Sequence, residues 1–173
     1  MVTEERTVHG RQSETSCVIV DAQSVKNTDT AEEKGYDAGK KVSGIKRHIA
    51  VDTQGLPHML YVTTANVTDR AGAIAGFESC NKNLHKVQKV ITDSGYSGKP
   101  FAESIETLLV AEVEVVKRNE LHQFKVLPKR WVVERSFSWL EKCRRLWKNC
   151  ERKINTSLQM MVLAFAVLLL KRF

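Results

Sequence analysis

The sequence of 173 residues predicts one mixed α/β domain: a mixed five-stranded sheet flanked by helices. Three observations predict it. Short β-branched runs at residues 17–21, 87–93 and 112–117 alternate with stretches of helical period. Residues 46–52 and 57–65 flank Thr53, Gln54 and Gly55, a turn whose glycine supplies positive φ, so they form an antiparallel hairpin. Hydrophobic residues make up 42% and charged residues 27%, enough apolar surface for a core and too much for a disordered chain.

Taken in order, residues 1–16 are polar and are expected to form a frayed tail ahead of a domain over 17–173. Residues 17–21 (CVIVD) suit a strand buried on both faces and ending in a carboxylate. Residues 27–44, rich in Lys, Gly, Asp and Glu, read as a long loop. Asp69 stands where an N-cap belongs, ahead of a helix to about residue 83. Residues 87–93 (VQKVITD) form a second strand ending in a carboxylate, Gly95 and Gly98 a turn, 99–109 a helix and 112–117 a strand. One long helix follows Pro128, and a second covers residues 156–172. This order is that of the ribonuclease H-like fold, although other α/β folds share it.

Several classes are excluded. The four cysteines, Cys17, Cys80, Cys143 and Cys150, form no C-x-x-C pair and read as core or incidental thiols. The first ten residues carry acids and no apolar run, which predicts no signal peptide and a cytoplasmic protein. The apolar stretch 160–170 is well short of the roughly 20 residues that span a bilayer. It is expected to be a buried helix whose surplus apolar residues supply a dimer contact.

Asp21 and Asp93 end predicted strands, where open α/β sheets place their sites. If those strands are neighbours, the carboxylates converge as hard oxygen ligands for divalent ions; for either alone, a turn former or helix cap is the plainer reading. Glu134 is the candidate third acid, against the alternative of a first-turn acid on the helix dipole. Glu134, Glu141, Lys142 and Arg145 share one predicted helical stripe, beside a core stripe of Val133, Phe137, Leu140 and Trp147. Trp131, Arg135 and Trp139 form a third, suited to packing or to base stacking. Asp52 and Asp69 are expected to be structural. His48 suits phosphate contact or packing equally.

The net charge of +7 equals the excess in residues 121–153, which hold ten basic and three acidic side chains. Charge alone fits a solvated helix face or a nucleic-acid surface. On the second reading Arg135, Lys142, Arg144, Arg145 and Lys148 are the DNA contacts, with Lys40, Lys41, Lys46 and Arg47 as another patch.

The runs VIVDAQSVK, GYDAGKKVSGIKRHIAVDTQGLPHMLYVTTANVTDRAGA, VITDSGYSG and LPKRWVVERSFSWLEKCRRLWKNCE closely resemble the catalytic part of bacterial insertion-sequence DDE transposases, the insertion-sequence-five family. The resemblance implies a ribonuclease H-like fold and a triad of Asp21, Asp93 and Glu134 holding two Mg²⁺ ions, with Mn²⁺ as a substitute. It implies cleavage and strand transfer of double-stranded DNA by homo-oligomers on transposon ends and target. It also implies a place at the bacterial nucleoid, away from membranes. Where the family carries G-R-K-R-H, this chain has Gly44, Ile45, Lys46, Arg47 and His48. Complete members also carry an N-terminal helical DNA-binding region. The chain therefore reads as a second reading-frame product, acting with its N-terminal counterpart, or as a truncated copy. Its expected function is metal-dependent DNA transposition; the alternative is a catalytically silent DNA-binding remnant that modulates a full-length transposase.

Overall fold

A computed structural model describes residues 1–80, 84–116 and 130–171. The predicted start of the long helix at Pro128 lies outside them, as do Lys125 and Lys129. Strand β1 (Cys17–Lys26) runs antiparallel to β3 (Val42–Val51), whose other edge carries β4 (Pro57–Thr64) and, end to end with it, the short β2 (Gly35–Asp37). On the far side of β1 lie parallel β5 (Lys89–Asp93) and then β6 (Glu112–Val116). Five helices are seen among the described residues: α1 (Val2–Val8), α2 (Asp69–Cys80), α3 (Lys99–Leu109), α4 (Arg130–Glu141) and α5 (Ile154–Leu170).

The sheet has six strands, not five, because β2 forms within the expected loop. Three residues are too few to show a period of two, and its pairing rests on close backbone approach. A Cβ on Gly35 would overlap the Asn66 side chain, and one on Gly44, its partner, would overlap the Val25 carbonyl.

Alternation along the strands divides the interior in two. Ile19, Ile45, Ile49, Val51 and Ile91 face α4 and α5, packing on Val133, Phe137, Leu140, Met161 and Phe165. Val18, Val20, Ala50 and Val90 face the other way, onto Ala73 and Phe77 of α2 and Phe101 and Ile105 of α3. At about 1.5–3 kcal/mol for each large apolar side chain buried, these two layers supply most of the driving force. Helix α5 buries Ser157, Met161, Ala164, Phe165 and Leu169 and leaves Val162, Leu163, Val167 and Leu170 exposed. No described helix is long and apolar enough to cross a membrane.

The N-terminal segment is a correction. Residues 2–8 form α1 instead of fraying, because Arg6 is buried against the Asp52 carboxylate, which is itself fully buried. Asp52 shapes the hairpin turn as expected, accepting the Gln54 and Leu56 N–H groups through Oδ1. Burial pushes its carboxyl up, but the His58 ring and those backbone bonds outweigh it and hold the pKa below the ordinary value. The cap of α2 is Thr68, whose Oγ1 accepts the Ala71 N–H; Asp69 is the first helical residue.

His48 is a packing residue. Fully buried, it bonds Thr63 Oγ1 through Nε2 at 2.9 Å, and a Cβ on Gly72 of α2 would overlap its ring. Burial, partly offset by Asp69, lowers its pKa to about 4. Gly72→Ala should therefore destabilise the fold by about 1–3 kcal/mol in urea unfolding, through overpacking. The depressed His48 pKa stabilises the fold above about 6.5, and that contribution is lost as pH falls toward 4. Wild type should lose about 3 kcal/mol more than His48→Gln between pH 7 and pH 4. Equal losses would show that His48 does not stay neutral.

Candidate active site

Strands β1 and β5 are adjacent and parallel, with Cys17 opposite Lys89, Val18 opposite Val90 and Ile19 opposite Ile91. The pairing stops two residues short of Asp21 and Asp93, and by the alternation of the strands both carboxylates lie on the sheet face of Ile19 and Ile91. That is the face covered by α4 and α5. Asp21 lies in the middle of β1, which corrects its expected place at a strand end. The strand continues because β3 pairs it as far as Lys26. Asp93 does end β5.

One oxygen of each carboxylate is oriented by backbone. Asp21 Oδ1 accepts the Ala22 N–H at 2.7 Å, and Asp93 Oδ1 accepts the Gly95 N–H at 2.9 Å. Behind them the buried Tyr96 hydroxyl, with no hydrogen-bond partner among the described residues, has its pKa raised well above 10 by burial and then by Asp21, Asp69 and Asp93. These are hard oxygen donors in a locally negative setting, which fits a divalent cation by donor type. Glu134 sits on the exposed side of α4, and among the described residues no three His, Cys, Asp or Glu side chains are grouped to hold a metal. Asp21 and Asp93 are carried by neighbouring strands on one face of the sheet, and the helix that carries Glu134 covers that face. Gln23, two residues after Asp21, donates to Glu141 Oε1 at 2.6 Å, and Glu134 lies two helical turns before Glu141.

The basic candidates divide. Lys46 and Arg47 are buried, which corrects their place on a DNA-facing surface. Lys46 Nζ pairs with Asp69 at 2.7 Å and Asp37 at 3.2 Å, while Arg47 Nη1 donates to the Leu146 carbonyl at 2.7 Å. Burial lowers the Arg47 pKa to about 10, so it stays charged inside the core. Both belong to a strand covered on its two faces, where a polar run must find internal partners. Lys40 and Lys41 are exposed, Lys41 with φ 54°.

Helix α4 ends at Glu141, so Lys142, Arg144, Arg145 and Lys148 lie on turns and not on the Glu134 stripe. Lys142, Arg144 and Arg145 are exposed, and Arg145 pairs with Glu151 at 2.7 Å. Trp147, expected in the core, is 60% exposed under Lys148, whose Nζ stands 4.5 Å from the ring centroid; Leu146 is buried in its place. The third stripe forms as read. Arg135 lies between Trp131 and Trp139 at 4.7 and 4.9 Å from their centroids and donates to the Gln54 carbonyl at 2.8 Å.

Sequence reasoning gave Asp69 a structural role and did not single out Arg70. Arg70 Nε donates to the Gly95 carbonyl at 2.9 Å, tying α2 to the turn that follows Asp93. Their signal was present only as Asp-Arg at the start of a helix, a pattern that capping explains as well.

The chain spans about half the length of a curated relative from Burkholderia cepacia, assigned as transposase of insertion sequence element IS402; the two are 29% identical over 117 residues, 64% of this chain and 55% of the relative. A chain of the simian T-cell lymphotropic virus intasome, solved by cryo-electron microscopy with the PP2A regulatory subunit B56 gamma, superposes with a TM-score of 0.56 at 15% identity. That match covers 88% of this chain and 47% of the other, and it supports the ribonuclease H-like fold. The family model described as the transposase DDE domain matches residues 12–169. With most of its length matched, the chain belongs to the transposase DDE domain family.

Proposed function

We propose that the chain is the catalytic domain of a transposase of the insertion-sequence-five family, cleaving double-stranded DNA at transposon ends and joining them to a target. The observation that supports this reading is the parallel pairing of β1 with β5, the two strands that carry Asp21 and Asp93, on the face that α4 covers. Asp21, Asp93 and Glu134 would hold two Mg²⁺ ions, or Mn²⁺, which when bound supply charge neutralisation at the attacking and leaving oxygens. Water is the first nucleophile and a freed 3′-hydroxyl the second, with no covalent protein intermediate. The protein's own work is positioning. The Ala22 and Gly95 amides orient the aspartates, and the Gln23–Glu141 bond steadies α4. The basic turn of exposed Lys142, Arg144 and Arg145 and half-buried Lys148 holds phosphates, and the chain acts as a homo-oligomer on DNA at the nucleoid.

Asp21→Asn, Asp93→Asn and Glu134→Gln should each abolish metal-dependent cleavage and strand transfer on cognate ends while keeping the circular dichroism of wild type. Mn²⁺ affinity, followed by electron paramagnetic resonance of the free ion, should fall roughly tenfold or more in Asp21→Asn. Unchanged Mn²⁺ binding in all three variants would remove the site.

The basic residues separate by burial. Arg144→Ala should lower the slope of log K against log salt by about 0.9 and leave stability alone. Arg47→Ala should instead cost about 2–4 kcal/mol in urea unfolding, because it removes a buried side chain and strands the Leu146 carbonyl.

A further inference from the structure

Beside the acid pair, on the opposite side of β1, an open cleft of about 640 Å³ is lined by Asp37, Lys40, Lys46, Asp69, Arg70 and Gly95, among others. Two of its cations are tied to the backbone next to the two aspartates. Lys40 Nζ donates to the carbonyl of Ala22, the residue after Asp21, at 3.0 Å. Arg70 Nε donates to the carbonyl of Gly95, the residue whose N–H holds Asp93, at 2.9 Å.

The acids of the cleft are largely spent on the third cation. Lys46 is buried and takes Asp69 at 2.7 Å, Asp37 at 3.2 Å and the Val67 carbonyl at 2.8 Å. Asp37 stays ionised, its pKa lowered to about 2 by the Ser24 hydroxyl, against burial, with help from the Lys40 N–H and Lys46. Lys40 Nζ makes a looser ion pair with Asp69 at 3.9 Å, and Arg70 is exposed. Lys40 and Arg70 are therefore the two exposed cations of the cleft, each anchored by a main-chain carbonyl close in sequence to Asp21 or Asp93.

We propose that Lys40 and Arg70 form a clamp for a backbone phosphate of the DNA strand presented to Asp21 and Asp93. The inference rests on the proposed function and adds to it a subsite and Arg70 as a positioning residue. A phosphate suits the pair because arginine offers a planar fork of donors and lysine a point charge. Lys46, locked between Asp37 and Asp69, is the strut that holds the two walls together.

The test is binding of a short labelled DNA duplex to the full chain by fluorescence anisotropy, in EDTA, across about 50–200 mM salt. Lys40→Ala and Arg70→Ala should each lower the salt slope by about 0.9, Arg70→Lys should restore it, and Lys171→Ala, at the exposed end of α5, should leave it unchanged. Thermal unfolding reports on folding. If Arg70→Ala is destabilised through loss of the Gly95 contact, Lys40→Ala and Arg70→Lys decide. Wild-type slopes in both alanine variants, with DNA still bound, overturn the clamp alone. An equal fall in Lys171→Ala overturns it in favour of diffuse charge. A wild-type chain that binds no DNA overturns the proposed function and the clamp with it.

Discussion

Strand β1 has a complete antiparallel partner on one side and an interrupted one on the other. β3 pairs it from Ile19 to Lys26, whereas β5 pairs it at residues 17–19, and a single parallel bridge between Asn27 and Asn149 closes its far end. Between those two anchors the backbone of β1 would present unpaired polar groups, which a buried strand cannot tolerate. Side chains fill the interval: Asp21 takes the Ala22 N–H, and Lys40 takes the Ala22 carbonyl. The gap is thus what gives Asp21 both its location and its orientation. It also explains why a cation stands directly behind an aspartate read as catalytic.

The same demand for internal partners runs through the rest of the molecule. Strand β3 is buried over nearly its whole length, so Lys46, Arg47 and His48 each require an internal answer. Lys46 is answered by two carboxylates, Arg47 by the Leu146 carbonyl and His48 by a threonine hydroxyl together with a low pKa. Buried ions of this kind add little net stability compared with apolar packing, but removing one partner leaves an uncompensated charge. Here they fasten the loop before β3, the start of α2 and the turns after α4 to one strand.

Features set by local pattern were legible in the sequence. The β-branched runs into Asp21 and Asp93, the hairpin at Gly55 and helix α3 at Lys99–Leu109 follow from periodicity and turn chemistry. Features that depend on distant partners were not. Helix α1 reads as a polar tail because what orders it, Asp52, lies 46 residues away. The Lys-Arg-His run of β3 reads as surface because sequence does not show that both faces of that strand are covered. Trp147 and Arg145 were placed on the wrong stripes because the helical period was carried past Glu141, where α4 ends. The acid pair needed only the adjacency of two strands, which topology supplies; Arg70 needed the turn after β5 to be seen in place.

The hairpin tip between β3 and β4 serves two helices at once. Asp52 receives Arg6 from α1, and the carbonyls of Gln54 and Gly55 receive Arg135 and Ser136 from α4. Arg135 and Ser136 directly follow Glu134, so the first helix of the chain and the acid-bearing helix are pinned to one four-residue knuckle. Neither helix can be lifted from the sheet without loading the other's fastening. Whatever tugs on α1 is therefore felt mechanically within one helical turn of Glu134.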